Sequence, residues 1–505
     1  MTGSSLAGAL LERPPRYRPR DPPLPKRGPI YNVPVEILLR IFQLVAPPRL
    51  RESLYTLSEL THVCRFWRMA LINQPRVWSS VFITHEDCRS FVQTCLRRSY
   101  PVALDVTVEA SRIGRIHEGC TCDKGARGRL MPNDKNPCEW HFQFEPLAET
   151  IHSSRIRALD INFDGEWTPS MERTRFALGS CRFFTSSFPQ LVTLTWKNEE
   201  TNHADHLFSN PPFAPPLRSL TYVGGWTSLI AQVHNLTSFV FDSDSRPWGT
   251  GTEAFRTFMR NNRSLESLYL KWIDFEGESK GPPVQLLNLK SFSVGLGAPI
   301  KKLSTILLVP AFRALSSLRI SSEDAETYTM TATGDGITLT AECFLRDFAE
   351  AWEDLTGYTR PTIRHVRLYD GSEFIDHCCS DLNTTVILLM MDAQTLEVGC
   401  NYLMGWYDSF WEDLKQLGPQ LKTIRFEVSG DMEPCPDDGC LHEDWDGELW
   451  ENIEDLAKYR FDQGRPFSTV ERLVLCEGER ENRLQAYVWR CFYGSRKISQ
   501  YVRSV

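Results

Sequence analysis

Leu217-Arg218-Ser219-Leu220-Thr221-Tyr222, Leu236-Thr237-Ser238-Phe239-Val240-Phe241, Leu265-Glu266-Ser267-Leu268-Tyr269-Leu270 and Leu289-Lys290-Ser291-Phe292-Ser293-Val294 share one pattern: apolar, two others, apolar, one other, apolar. The alternation at the end of each copy predicts a short strand with one face turned inward. From Leu217 to Leu315 the copies lie 19 to 29 residues apart, room for one strand and one return leg. One such unit cannot bury its apolar face alone, so neighbouring units must stack.

The pattern continues outward. Upstream it recurs as Ile156, Leu159, Ile161 and as Leu191, Leu194, Trp196. Downstream it recurs as Leu315, Leu318, Ile320, then Ile363, Val366, Leu368, then Leu421, Ile424, Phe426, and then Val470, Leu473, Leu475. Outside the central window the spacing stretches to about twice as much, so the array is irregular. Residues 254–259 and 344–355 have the apolar spacing of helical return legs. Two insertions, near 112–140 and 430–456, are expected to be exposed loops. The first is rich in Gly, Arg, Lys and Asp; the second holds eleven acidic residues and no Lys or Arg between Asp431 and Asp455. Trp445, Leu449 and Trp450 give the second the makings of a short amphipathic helix.

The N-terminal region reads differently. Residues 1–29 are crowded with Pro and Arg, which removes backbone donors and leaves few apolar groups. A disordered tail is expected there, with a nuclear address or docking peptide as the functional alternative. From Ile30 the chain turns helical. Pro34 and Glu36 mark a first turn, with Asn32 as a cap candidate, and Ile37, Leu38, Ile41, Phe42 and Val45 follow helical spacing. Pro47-Pro48 stops this helix. A second helix is expected from about Leu50 to Leu60, and a third carrying Val63, Cys64, Trp67, Ala70 and Leu71. Pro75 ends the third, and Trp78 follows.

Residues 30–85 resemble the F-box family. The residues that carry the resemblance are Val33-Pro34-Val35-Glu36-Ile37-Leu38 with Ile41-Phe42, then Val63-Cys64-Arg65-Phe66-Trp67-Arg68, then Pro75-Arg76-Val77-Trp78. The chain departs from the family in Val33, where Leu is common, and in a longer segment between Phe42 and Val63. The resemblance implies docking onto a Skp-type adaptor of a cullin ubiquitin ligase. Val33, Pro34, Glu36, Ile37, Leu38, Ile41, Phe42, Val63, Cys64, Trp67, Pro75 and Trp78 would be divided between that interface and the motif's own core. The array over 86–505 resembles the irregular leucine-rich regions attached to many F-box proteins, fungal-type ones in particular. The expected fold class is therefore α + α/β, a small helical F-box module followed by an irregular leucine-rich-repeat-like α/β solenoid.

Bulk properties narrow the function. Lys+Arg 56 against Asp+Glu 64 leaves a net charge of −8, which gives nucleic acid no concentrated basic footprint. The apolar stretch from Thr384 to Met391 is far shorter than the roughly 18 residues a membrane span needs. The 15 cysteines are an odd count in a long chain. Cys64, Cys181, Cys343 and Cys476 lie singly in apolar runs, where they read as small buried hydrophobes in a reducing compartment. An intracellular protein, cytoplasmic and/or nuclear, is expected, with neither membrane nor nucleic acid as a partner.

Few constellations suggest chemistry. Cys120, Cys122, Cys138 and His141, with His117 nearby, could supply four N/S ligands to a structural zinc. Cys435, Cys440 and His442 form a weaker set, and no other cofactor is implied. Cys378 and Cys379 beside His377 read better as thiols near a helix than as a nucleophile and base. Gly295-Leu296-Gly297 lacks the third glycine of a dinucleotide fingerprint and reads as a strand-end turn. No nucleophile elbow, Walker loop or zincin helix is present in the sequence. The expected function is a non-catalytic one: an adaptor that holds an unknown protein substrate on the solenoid and a Skp-type adaptor with its cullin ligase on the F-box. A leucine-rich interaction scaffold without a ligase shares every motif. An enzyme with an unrecognised site would need a deep pocket of converging polar groups.

Overall fold

The computed structural model describes residues 33–45, 51–83, 89–109, 147, 149–162, 188–197, 216–226, 230, 232–243, 248–278, 280–296, 298, 300–322, 327–344, 352, 354, 356, 361–370, 392–399, 415, 420–429, 454–465, 467, 469–476 and 485–487. These fall into two compact units. The first takes the described residues up to Ser80 together with Cys95–Val102. The second takes Val81–Thr94 and those from Ala103 on.

The first unit is helical. Helix α1 spans Val35–Val45, α2 Arg51–Val63 and α3 Arg65–Ile72, followed by a 3-10 turn at Pro75–Trp78. The Leu38 N–H donates to the Pro34 carbonyl at 3.0 Å, so α1 begins directly after the proline. Glu36 in its first turn complements the helix dipole. The segment that is long for the family is taken up by the 13 residues of α2. Val63 closes α2 instead of opening α3. Cys64 between them is extended (φ −156°, ψ 166°), and its Sγ accepts from the Trp67 N–H at 3.4 Å. Cys64 is therefore a half-exposed helix cap, and the expectation of a buried hydrophobe does not hold for it. Leu38, Leu39, Phe42, Leu57, Leu71 and Trp78 form the buried core. The Trp67 ring meets Phe42 edge-on at 5.0 Å. The Trp78 indole N–H donates to the Leu71 carbonyl at 2.8 Å, with the Arg98 guanidinium over its ring at 4.4 Å.

The second unit is built on one long sheet. Its first strands are β1 (Ser80–Ile83), β2 (Leu104–Glu109), β3 (Ile156–Asn162), β4 (Thr193–Lys197), β5 (Ser219–Val223) and β6 (Ser238–Asp242). Then come β7 (Trp248–Gly251), β8 (Ser267–Lys271), β9 (Ile273–Glu276), β10 (Val284–Gln285), β11 (Ser291–Val294) and β12 (Leu307–Leu308). The remainder are β13 (Leu315–Ser322), β14 (Thr327–Gly334), β15 (Ile337–Phe344), β16 (His365–Asp370), β17 (Thr395–Gly399), β18 (Thr423–Ser429), β19 (Thr469–Cys476) and β20 (Gln485–Tyr487). Among the described residues 16 strands form the main sheet, in the order β1-β2-β3-β4-β5-β6-β8-β11-β15-β14-β13-β16-β17-β18-β19-β20. β7 with β9 and β10 with β12 form two short parallel pairs.

The predicted apolar positions form rows across neighbouring strands. Leu159, Leu194, Leu220, Phe239, Leu268 and Phe292 lie in register, as do Ile161, Trp196, Tyr222, Phe241, Leu270 and Val294. All twelve are buried, so each strand presents one continuous apolar face and a strand alone would leave it in water. Return legs cover that face. Helix Thr252–Asn261 brings Phe258 to 4.6 Å from Phe239, and the 3-10 turn Pro310–Ala314 brings Phe312 to 5.9 Å from Phe292. Asn262 ends the helix fully buried. Its amide donates to the carbonyls of Val233 and Phe258 at 2.9 and 2.8 Å, and its oxygen accepts from the Leu236 N–H at 2.9 Å. This leucine-rich-repeat-like ladder follows the helical module, as the sequence predicts.

The second unit differs from the sequence reading at the neighbour of β11, at the hairpins that follow β13, at Phe344 and at Val470. The strand beside β11 is β15, not β13. β13, β14 and β15 form an antiparallel meander that runs back along the sheet, and β13 then continues the parallel series into β16. Its second hairpin closes at Asp335-Gly336, where glycine carries the positive φ of +71°. Phe344, expected to open a helix, ends β15, although residues 352, 354 and 356 are helical. Val470 lies opposite Ile424 and not opposite Leu421, so the last copy of the pattern is out of step with the one before it.

Candidate functional site

Helix α1 is apolar on two sides. Leu38, Leu39 and Phe42 face the helical unit and are at most 9% exposed. Residues 34, 37, 41, 44 and 45 recur at helical spacing and carry Pro34, Ile37, Ile41, Leu44 and Val45, all exposed. Ile37 is 54%, Ile41 45% and Leu44 70% exposed. Val63 at the end of α2 and Met69 on α3 add two more exposed apolar side chains. Single exposed apolar residues are ordinary, whereas a helix-long stripe marks a docking surface.

The residues singled out in the sequence thus separate by position. Leu38, Phe42 and Trp78 lie in the core of the helical unit. Val33, Cys64, Trp67 and Pro75 are half-buried, and Pro34, Glu36, Ile37, Ile41 and Val63 are exposed. Sequence spacing alone missed Leu44 and Met69. Leu44 could have been found three residues beyond Ile41 on the same helical face.

A second arrangement sits on the polar face of the long sheet. Register aligns Arg319 of β13, Arg367 of β16, Glu397 of β17 and Arg425 of β18 in one row across four adjacent strands. His365 stands one residue pair away on the same face, opposite Ser317 and Thr395. The Glu397 carboxylate is nearly buried. It accepts from an Arg425 guanidinium N–H at 2.6 Å, and lies 3.4 Å from Arg367 Nε and 3.6 Å from His365 Nε2. The hydrogen bond with His365, then that with Arg425 and the nearby positive charges, holds its pKa at about 2 against the upward push of burial. In the same row Tyr269, on β8, is pushed up to about 12 by burial and by the carboxylates of Glu342 and Asp242, so it keeps its phenolic proton.

The zinc candidates Cys120, Cys122, Cys138 and His141, with His117, and the set Cys435, Cys440 and His442 lie outside the described residues. So do His377, Cys378 and Cys379. Among the described residues no group of three or more His, Cys, Asp or Glu side chains could hold a metal ion. Among them, too, no helix is long and apolar enough to cross a membrane.

Comparison with curated proteins gives no match. Among solved structures the chain is similar to the leucine-rich repeat-containing protein LegL7 from Legionella pneumophila, at 10% identity, over 84% of this chain and 95% of that chain, with a TM-score of 0.26. The family model described as F-box-like matches residues 30–84. That match falls on the helices whose exposed apolar stripe is described above, and the chain therefore carries an F-box-like domain at residues 30–84.

Proposed function

We propose that this chain is a substrate-recognition adaptor of a Skp–cullin–F-box ubiquitin ligase. The observation that carries the reading is the exposed apolar stripe of α1 inside an F-box-like domain. Pro34, Ile37, Ile41, Leu44 and Val63 form the docking surface for a Skp-type adaptor, with Val33, Glu36, Cys64, Trp67 and Pro75 at its margins. Leu38, Phe42 and Trp78 support that surface from behind. A stable interface buries about 1,600 Å² and concentrates its energy in a few apolar anchors. The polar face of the sheet holds a protein substrate.

The mechanism is positional. Holding the substrate beside the ligase raises its effective concentration, and no step of ubiquitin transfer needs a reacting group on this chain. The test is co-expression of the full chain with a Skp-type adaptor and a cullin. Co-purification of both, lost in an Ile37→Asp/Ile41→Asp variant, supports the reading. A folded wild-type chain that captures neither removes it.

A further inference from the structure

We infer that the row Arg319, Arg367, Glu397, Arg425, with His365 beside it, is a recognition site for an anionic segment of the protein substrate. The inference rests on the adaptor reading for the word substrate, and on the sheet's own geometry for the site.

Three guanidinium groups and one carboxylate occupy four neighbouring strands, and Glu471 of β19 follows Arg425 in the same row. In-register strands lie about 4.8 Å apart, so a ligand crossing them meets one side chain of the row per strand. Arg319 and Arg367 are direct cross-strand partners. Like charges in that position repel across a sheet, and the apolar rows behind them already fix its register. The chain carries a net −8, so a row of arginines is not a by-product of a basic composition. The site is reachable from water: Arg319 is exposed, and the side chains of His365, Arg367 and Arg425 retain 35–37% of their exposure.

Glu397 explains how the row is held ready. Its carboxylate lies between the strands of Arg367 and Arg425, accepts a hydrogen bond from Arg425 and makes an ion-pair contact with Arg367, which restrains both side chains before any ligand arrives. Guanidinium forks match the planar or tetrahedral oxygens of carboxylate and phosphate. The Thr331 hydroxyl, next in the row beyond Arg319, adds a neutral donor. The ligand chemistry is thus an oxyanion on a peptide, supplied either by Asp/Glu side chains or by a phosphorylated hydroxyl.

The test uses the full chain and three degenerate peptide libraries, fixed at the centre as Glu-Glu, as phosphoserine, or as Gln-Gln, each read by fluorescence anisotropy. One or both anionic libraries bind over the neutral one, and binding falls as salt rises. Arg319→Gln weakens it about tenfold. Arg260→Gln, on the return helix, has no effect. Binding of both anionic libraries assigns acidic sequence as the source, and binding of the phosphoserine library alone assigns modification. Equal binding of all three libraries, no binding by a folded wild-type chain, or the same affinity in a folded Arg319→Gln variant overturns the inference. Adaptor capture is scored on the same samples. If capture fails while arginine-dependent peptide binding persists, the ligase reading falls and the anion site stands; the reverse pattern removes the anion site alone.

Discussion

Replacing Ile37 and Ile41 together by aspartate separates docking from folding. Both side chains lie on the outer face of α1, 54% and 45% exposed, so the new carboxylates meet water in the free chain. Exposed substitutions away from caps and cores shift stability by about 0.5 kcal/mol or less. On docking, the exposed half of each isoleucine would leave water. Full burial of such a side chain is worth about 1.5–3 kcal/mol, so the open half contributes about 1 kcal/mol at each position. Losing both costs about 2 kcal/mol, close to thirtyfold in Kd. Trapping two carboxylates against an apolar partner adds a desolvation penalty, which takes the expected loss to about a hundredfold or more. The assay is isothermal titration of the full chain with a purified Skp-type adaptor, paired with a thermal melt of each variant. Leu38→Asp should also abolish binding, but by unfolding the helical unit, since Leu38 is 1% exposed. Unchanged affinity in an Ile37→Asp/Ile41→Asp variant that melts like the wild type would refute the assignment of this face.

Phe42→Ala removes a buried ring that packs on Trp67 and should destabilise the helical unit by about 3–5 kcal/mol, read as an early transition in circular dichroism. Glu397→Gln tests the ion row by pH. The folded pKa of about 2 lies below the ordinary 4.5, so the carboxylate's contribution, about 2–3 kcal/mol, is complete above pH 4.5 and fades as pH falls towards 2. The stability gap between wild type and variant in urea should therefore be flat above about pH 5 and close in acid; a gap constant down to pH 3 would count against the ion pairs. Gly334→Ala drives a methyl into the Ala314 carbonyl at the start of the meander and should lower the melting temperature far more than Gly336→Ala. That second change meets open space and bears only the strain of φ +71°, about 1 kcal/mol.

The repeat was legible because its information is local. Each strand needs apolar residues at fixed offsets, so Leu265, Leu268 and Leu270 announce a strand without knowledge of any neighbour. The strands that escaped notice lack one of those residues. β15 pairs with β11 through Leu339 and Ala341, but Gly336 stands where the leading leucine would be. β17 opens with Ala393 in that place, and β2 carries a register shift between Leu104 and Asp105. The 26 residues from Leu289 to Leu315 imitate one repeat, although two strands lie between β11 and β13. The Asp335-Gly336 turn between two alternating runs was a readable sign of the hairpin. The Arg319–Arg425 row was not readable, because the adjacency of Arg319 and Arg367 exists only once the pairing of strands 48 residues apart is known. For α1 the sequence shows apolar residues on both sides of a polar strip of Glu36, Arg40 and Gln43, and only the packing of the helical unit decides that Leu38 turns inward while Ile37 stays outside.

That division of α1 has an energetic consequence. Among the described residues the helical unit rests on a short roll of core residues, Leu38, Leu39, Phe42, Leu57, Leu71, Trp78, Cys95 and Leu96, and small cores leave little surplus over chain entropy. The same helix spends Ile37, Ile41 and Leu44 on its outer face, where they contribute almost nothing to folding in water. A partner that covers that face binds the folded helices and not the unfolded chain, so it stabilises them by mass action, about 2.7 kcal/mol at a hundred times its Kd. For a unit this small, that is a large share of its total stability. The long sheet is in the opposite position, since the described residues of its apolar rows are already buried. A partner bound at α1 would therefore act first on the stability of the helices.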